Sequence, residues 1–221
     1  MSNKILRLSA VLFGITAVTG LLLGIVQHVT SAPIAEQRQK QRARALEATL
    51  PQAESFALVP VEGSGIISEI AKGTSGGETA GYCFTLKPKG FGGILTLVCG
   101  IADDGQVMDI SILESNETPG LGAQASKPAF AGQFHQRRTS GLLTVVKTPV
   151  ENDDQIQAIS GATITSRAIT DAVNEALRYW SAHFKAQSGE TRTDSIAKVQ
   201  SSTVTEEIGD SNESSQTEGA K

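Results

Sequence analysis

Cysteine and histidine are scarce in this 221-residue chain: Cys83 and Cys99 are the two thiols, and His28, His135 and His183 the three imidazoles. Such groups are too few and too widely scattered for an obvious zinc or iron–sulfur site. No basic excess exists either. Lysine and arginine number 19 against 23 acids, a formal charge of −4, and aromatics make up 5 %. That balance lacks the footprint of a nucleic-acid binder, and no nucleic acid is expected as a partner. Charge is sparse overall at 19 %, and it is unevenly placed. From Ala186 to Lys221 seven acids face three bases, which accounts for the whole −4 and leaves residues 1–185 neutral. The same stretch is rich in Ser, Thr, Glu and Gln and nearly without large apolar side chains. It is expected to be a disordered acidic tail, residues 186–221.

One long uncharged run stands at the other end. Leu8–Val26 is LSAVLFGITAVTGLLLGIV, and as a helix it reaches about 28 Å, the thickness of a bilayer's hydrocarbon. A cleaved signal peptide competes with a retained anchor. The run is longer than a signal core, and its small-residue exit Thr30-Ser31-Ala32 is followed by Pro33, so the anchor is favoured. No ionisable residue lies in it, which argues against an ion path through this segment. Lys4 and Arg7 precede it, while Arg38, Lys40, Arg42 and Arg44 follow; on the positive-inside count alone an exported domain is disfavoured. Ala35–Leu50 has good helix formers and no glycine or proline until Pro51, and reads as a stalk helix. The expected layout is residues 1–7 before the span, 8–26 spanning, 27–51 stalk, 52–185 a folded domain, then the tail.

Within 52–185 the pattern becomes β-like. Phe56–Val59, Ile66–Ile70, Gly81–Leu86, Ile94–Ile101, Val107–Leu113 and Leu142–Lys147 are the expected strands. Asp103-Asp104-Gly105 is a hairpin turn. From Arg167 the period changes: Ile169, Ala172, Val173, Ala176, Leu177 and Trp180 form one apolar stripe of a helix ending near Lys185. The fold class is therefore α+β, an N-terminal transmembrane helix and stalk followed by a twisted, mostly antiparallel sheet packed with helices. A hairpin centred near Phe91 sets Cys83 and Cys99 opposite each other. They are either a disulfide, if the domain is outside the cytoplasm, or two buried thiols.

Two motifs carry chemistry. Ser160-Gly161-Ala162-Thr163-Ile164-Thr165-Ser166 stands directly before the helix, where small residues, hydroxyls and free amides make a seat for an anion. Simple capping by Thr165 or Ser166 is the simpler account on local physics. Glu117-Thr118-Pro119-Gly120-Leu121-Gly122 is a rigid glycine-rich loop after a strand. It is either structural or a place where backbone meets a flat ligand.

Taken together, SGATITS, ETPGLG and the block GYCFTLKPKGFGGILTLVCGIADDGQV resemble the FMN-binding domain of the RnfG and NqrC subunits. The span, the stalk and the length resemble RnfG. The resemblance covers roughly Lys4 to Lys185. It implies that a flavin transferase uses FAD to esterify Thr163 with the FMN phosphate, so that FMN is covalently bound. It implies that Ser160, Gly161, Ala162 and Thr165 shape the seat and that Glu117, Thr118, Pro119, Gly120, Leu121 and Gly122 approach the isoalloxazine or ribityl part. No catalytic side chain and no metal site is implied: the chain is an electron carrier rather than a stand-alone enzyme. Its expected partners are the other membrane and iron–sulfur subunits of an Rnf ion-translocating complex. Its expected place is the cytoplasmic (inner) membrane, single-pass, with residues 1–7 cytoplasmic and the flavin domain on the far side. The sequence departs from the family at Gln157, where an acid is usual, and has Asn116 where NqrC-like members often carry His. An NqrC-like component of a sodium-pumping NADH–quinone reductase, a stand-alone extracytoplasmic reductase accessory and a non-redox anchored scaffold are the alternatives.

Overall fold

The computed structural model describes residues 2–63, 65–139 and 141–185. The tail expected from Ala186 onward lies outside the described residues. Contacts divide the chain into two units that meet between Ala45 and Leu46.

Helix α1 runs Ser2–Thr49 without a break at Pro33. Its segment Lys4–His28 has a mean hydropathy of 2.2, long and apolar enough to cross a membrane. Phe13, Leu21 and Leu23 are each at least 66 % exposed. Water does not tolerate such a surface on a stable helix, whereas lipid does. Glu36 and Lys40 pair at 2.6 Å farther along, and the helix stops one residue before Leu50-Pro51, as the proline requires.

Five strands follow: β1 (Ser55–Val59), β2 (Ile67–Ser75), β3 (Glu78–Leu86), β4 (Thr96–Ala102) and β5 (Val107–Glu114). They form one antiparallel sheet in sequence order. Strands β2 and β3 are longer than their apolar runs. Gly76 and Gly77, both at positive φ (58° and 88°), close a tight turn that lets polar Thr74 and Ser75 pair with Thr79 and Glu78. The Asp103-Asp104-Gly105 turn joins β4 to β5, with Ala102 N–H donating to Gln106 C=O at 2.9 Å.

The β3–β4 register corrects the expected cysteine pair. Cys83 stands opposite Gly100, and Cys99 opposite Phe84. A slip of one position puts the two side chains on opposite faces of the sheet, and both thiols are free and buried. Cys99 belongs to the face that packs on helix α3, with Tyr82, Phe84, Leu97 and Ile101. Cys83 belongs to the other face, which the last turn of α1 covers: its Sγ lies 3.7 Å from Thr49 Oγ1. Gly100 has no room for a side chain there, because a Cβ would strike the Thr49 carbonyl.

Helix α3 spans Thr163–His183, starting one turn before the stripe that announced it. Ile169, Ala172, Val173 and Ala176 are fully buried against the sheet, and Phe184 stacks on Tyr82 at 3.9 Å. Trp180 is core, as expected, at 8 % exposure. Burying each large side chain of this kind contributes about 1.5–3 kcal/mol. Between β5 and α3 the chain makes a 3₁₀ turn at Gly122–Ser126, the short helix α2 (Pro128–Ala131) and a second 3₁₀ turn at Gly132–Phe134. Then a parallel pair follows, β6 (Thr144–Val146) with β7 (Gln155–Gln157). Nothing in Gln-Ile-Gln announces β7. Arg137 holds the turn before it, donating to the carbonyls of Asn152 (3.2 Å), Asp153 (2.7 Å) and Gln155 (2.6 Å).

Candidate functional site

The start of α3 decides what the SGATITS segment does locally. The first helical residue is Thr163, and Ala162 is the N-cap, with no side-chain cap bond. Capping by Thr165 or Ser166 is therefore excluded. Ser166 Oγ instead accepts from Ile159 N–H and donates to Ala162 C=O, each at 3.0 Å, tying the loop to the helix from below. The helical ladder opens with Ser166 N–H on Ala162 C=O. The amides of Thr163, Ile164 and Thr165 have no carbonyl within the helix, and they carry the positive end of its dipole.

Three chain segments meet in front of those amides around a cleft of about 370 Å³. Phe91 comes from the β3–β4 connection, Glu117, Thr118, Leu121 and Gly122 from the loop after β5, and Gly161–Thr165 from the helix start. The loop after β5 is pinned by Thr118 C=O, which accepts from Leu121 N–H (3.1 Å) and Ala123 N–H (3.3 Å). Its Glu117 is 7 % exposed, an unusual state for a carboxylate. Oε1 accepts from Gly92 N–H at 3.1 Å, so the Gly-Phe-Gly-Gly turn and the Glu117 loop are fastened to each other. Gly90 and Gly122 give the carboxylate its space, since a Cβ at either would strike one of its oxygens. The same Cβ position on Gly122 would also crowd Thr165 Oγ1; Thr165 is fully buried, with Oγ1 lacking any partner.

Of the eleven residues expected at the site, the cleft brings together Glu117, Thr118, Leu121, Gly122, Gly161, Ala162, Thr163 and Thr165. Ser160 faces a separate depression of about 240 Å³ with Gln124, Lys127 and Gln157. Pro119 and Gly120 form the exposed turn outside the lining. Gln157 is held by its backbone, which exchanges two hydrogen bonds with the Gln133 amide at 2.7 and 3.2 Å. Sequence reasoning did not single out Phe91 and Ile164. They stand 72 % and 57 % exposed, and with Leu121 at 44 % they give the cleft an apolar rim. A large aromatic inside a glycine turn was the available signal. Backbone amides, a buried carboxylate and an apolar rim together suit a ligand with an anionic end, a polar middle and a flat apolar end.

Residues 90–178 match the family model described as FMN-binding domain, and residues 1–48 match the RnfG N-terminal region. The chain is 38 % identical over 161 residues to the G subunit of the proton-translocating ferredoxin:NAD(+) oxidoreductase complex of Clostridium ljungdahlii, covering 72 % of this chain and 83 % of that one. It is 36 % identical over 190 residues to the G subunit of the Na(+)-translocating ferredoxin:NAD(+) oxidoreductase complex of Acetobacterium woodii, covering 80 % and 91 %. Among solved structures, the C subunit of the Na(+)-translocating NADH-quinone reductase of Parabacteroides distasonis superposes with a TM-score of 0.49 at 20 % identity, over 66 % of this chain and 93 % of that one.

Proposed function

This chain belongs to the RnfG family, and on that premise we propose that it is the membrane-anchored FMN subunit that relays electrons within an ion-translocating ferredoxin:NAD⁺ oxidoreductase complex. FMN supplies reversible electron transfer there; the protein supplies binding, orientation and electrostatics. The attachment point is Thr163. The observation that carries this is the opening of α3: a hydroxyl at its first residue, no capping side chain before it, and a first turn, Thr163 to Thr165, that lines the cleft. A phosphodiester on that oxygen meets the helix's positive end. In the maturation step, Thr163 Oγ1 displaces AMP from the flavin-side phosphorus of FAD. One P–O bond forms, the P–O–P bond breaks, and the threonine proton is released with no change in oxidation state. A flavin transferase is therefore the maturation partner.

The fit extends beyond the phosphate. Phe91, Leu121 and Ile164 would flank the ring, with Glu117 and Thr165 beneath the chain that joins ring to phosphate. The working partners are the other membrane subunits and an iron–sulfur subunit of the same complex. Helix α1 carries the one membrane span among the described residues, and the flavin domain lies on the extracytoplasmic side of the cytoplasmic membrane.

In-gel flavin fluorescence after denaturing electrophoresis, with a transferase co-expressed, is the test. Wild type is expected to give a fluorescent band, Thr163→Val none, and Thr165→Val a band. A band surviving Thr163→Val sinks the attachment point. An unlabelled wild-type chain beside an active transferase favours a non-redox scaffold.

A further inference from the structure

Thr163, Thr165 and Ser166 crowd the start of α3 with hydroxyls, and each is a residue type that caps helices. Thr163 is the one that capping would spoil. As an N-cap its Oγ1 would accept from the amide of Thr165 or Ser166, turned back onto the helix and withheld from any incoming phosphate. The structure avoids that arrangement. The N-cap is Ala162, which has no side-chain oxygen, and Thr163 is the first helical residue and lines the cleft. Threonine is much the better cap of the two. A helix that nonetheless starts one residue early has to be held there by something else.

Ser166 is what holds it. Ahead of the helix, Ala162 N–H donates to Ile159 C=O at 3.0 Å. That bond closes a turn whose third residue, Gly161, has a φ of 74°, the left-handed conformation glycine adopts freely. The turn leaves two polar groups open, Ile159 N–H and Ala162 C=O. Both go to one hydroxyl: Ser166 Oγ accepts from the first and donates to the second, each at 3.0 Å. Ala162 C=O also accepts from Ser166 N–H at 3.0 Å, the bond that starts the helical ladder at Ala162 rather than Thr163. Ser166 is fully buried, so water does not replace its hydroxyl once that is removed. We infer that Ser166 is a positioning residue for the modification. Its hydroxyl clamps the Ile159–Ala162 turn to the first turn of α3, which keeps Thr163 from capping its own helix and leaves its oxygen free to attack phosphorus. This rests on the covalent reading at Thr163 and adds no chemical step to the transfer, since Ser166 acts only through the turn and the helix start.

The test uses the full chain in detergent and two readouts. The first is the carbon chemical shifts of isotope-labelled threonine in flavin-free chain, with Thr163 assigned by the signals lost in Thr163→Val. These shifts separate a helical threonine from an extended, capping one. Wild type is expected to show helical values and Ser166→Ala extended ones. The second is the kinetics of flavin attachment by the transferase from FAD. Ser166→Ala is expected to lower kcat by about tenfold, the size of two modest net hydrogen bonds, with KM for the chain unchanged. Plain loss of folded chain reduces the final extent of labelling instead. Ser166→Thr, which keeps the hydroxyl, should stay close to wild type in both readouts. Labelling of Ser166→Ala at the wild-type kcat overturns the inference, as does slow labelling with Thr163 still helical. Extended Thr163 shifts in wild type overturn it whether or not any variant folds. Failure of the underlying reading looks different: wild-type chain with a helical Thr163 then takes no flavin from an active transferase, and the role of Ser166 falls with it.

Discussion

At its C-terminal end α3 is packed to completion, with Trp180 lying over the β4–β5 turn, 2.7 Å from where a Gly105 Cβ would be, and Phe184 stacked on Tyr82. At its N-terminal end the same helix shows an uncapped start, Ile164 exposed to solvent and a buried hydroxyl with no partner. The C-terminal end has an orphan donor too, Trp180 Nε1, but it stands alone beside amides already engaged in the helical ladder. One end holds the helix on the sheet, and the other is left incomplete in a way a ligand can finish. Stability and function are thus separated along 21 residues of a single element.

Three measurements test that contrast. The largest expected effect is Trp180→Ala, which should lower the stability of the full chain by about 3–5 kcal/mol, read from the urea midpoint. A loss below about 1 kcal/mol would show that the packed end is not what anchors α3. Next is Thr165→Val, with the opposite sign. In flavin-free chain it removes an orphan hydroxyl at nearly constant volume and should stabilise by about 1 kcal/mol. Destabilisation of that size would mean the N-terminal end is as satisfied as the other. The smallest effect at neutral pH comes from the sheet beneath. Burial pushes the Cys83 thiol up to about 12, offset in part by its Thr49 contact. Burial, then Cys83 and Asp109, raises Cys99 further. Folding therefore favours the neutral thiols. Their contribution is complete below the ordinary thiol pKa of about 8.5 and is lost as pH climbs from there through about 12. Neither thiol should react with maleimide at pH 8 before unfolding; rapid labelling of either would show that its face of the sheet opens.

Much of this was legible beforehand, because the signals are local. A charge-free run long enough to cross a bilayer, an apolar stripe from Ile169 to Trp180 and glycine-bounded strands all declare themselves within a few residues. The register of Cys83 and Cys99 did not, because it depends on how a nine-residue connection folds: Leu95 N–H bonds Pro88 C=O and Gly90 N–H bonds Gly93 C=O, which shifts the pairing by one. Strand β7 was invisible because a distant guanidinium and a parallel neighbour create it. Phe91 was missed because its role depends on facing two segments far along the chain.

The sequence by itself determined the element types and the chemistry on offer: a membrane-length helix, an α+β domain, a threonine-rich helix start and one acidic glycine loop. Those follow from hydropathy, periodicity and backbone preference, which act over a few residues. Only the tertiary structure decided that Glu117 turns inward between Gly90 and Gly122, that Thr165 meets it there without a partner, and that the two cysteines never meet. Each of those depends on long-range register and close packing, where one residue of slip or one added methyl changes which atoms face each other.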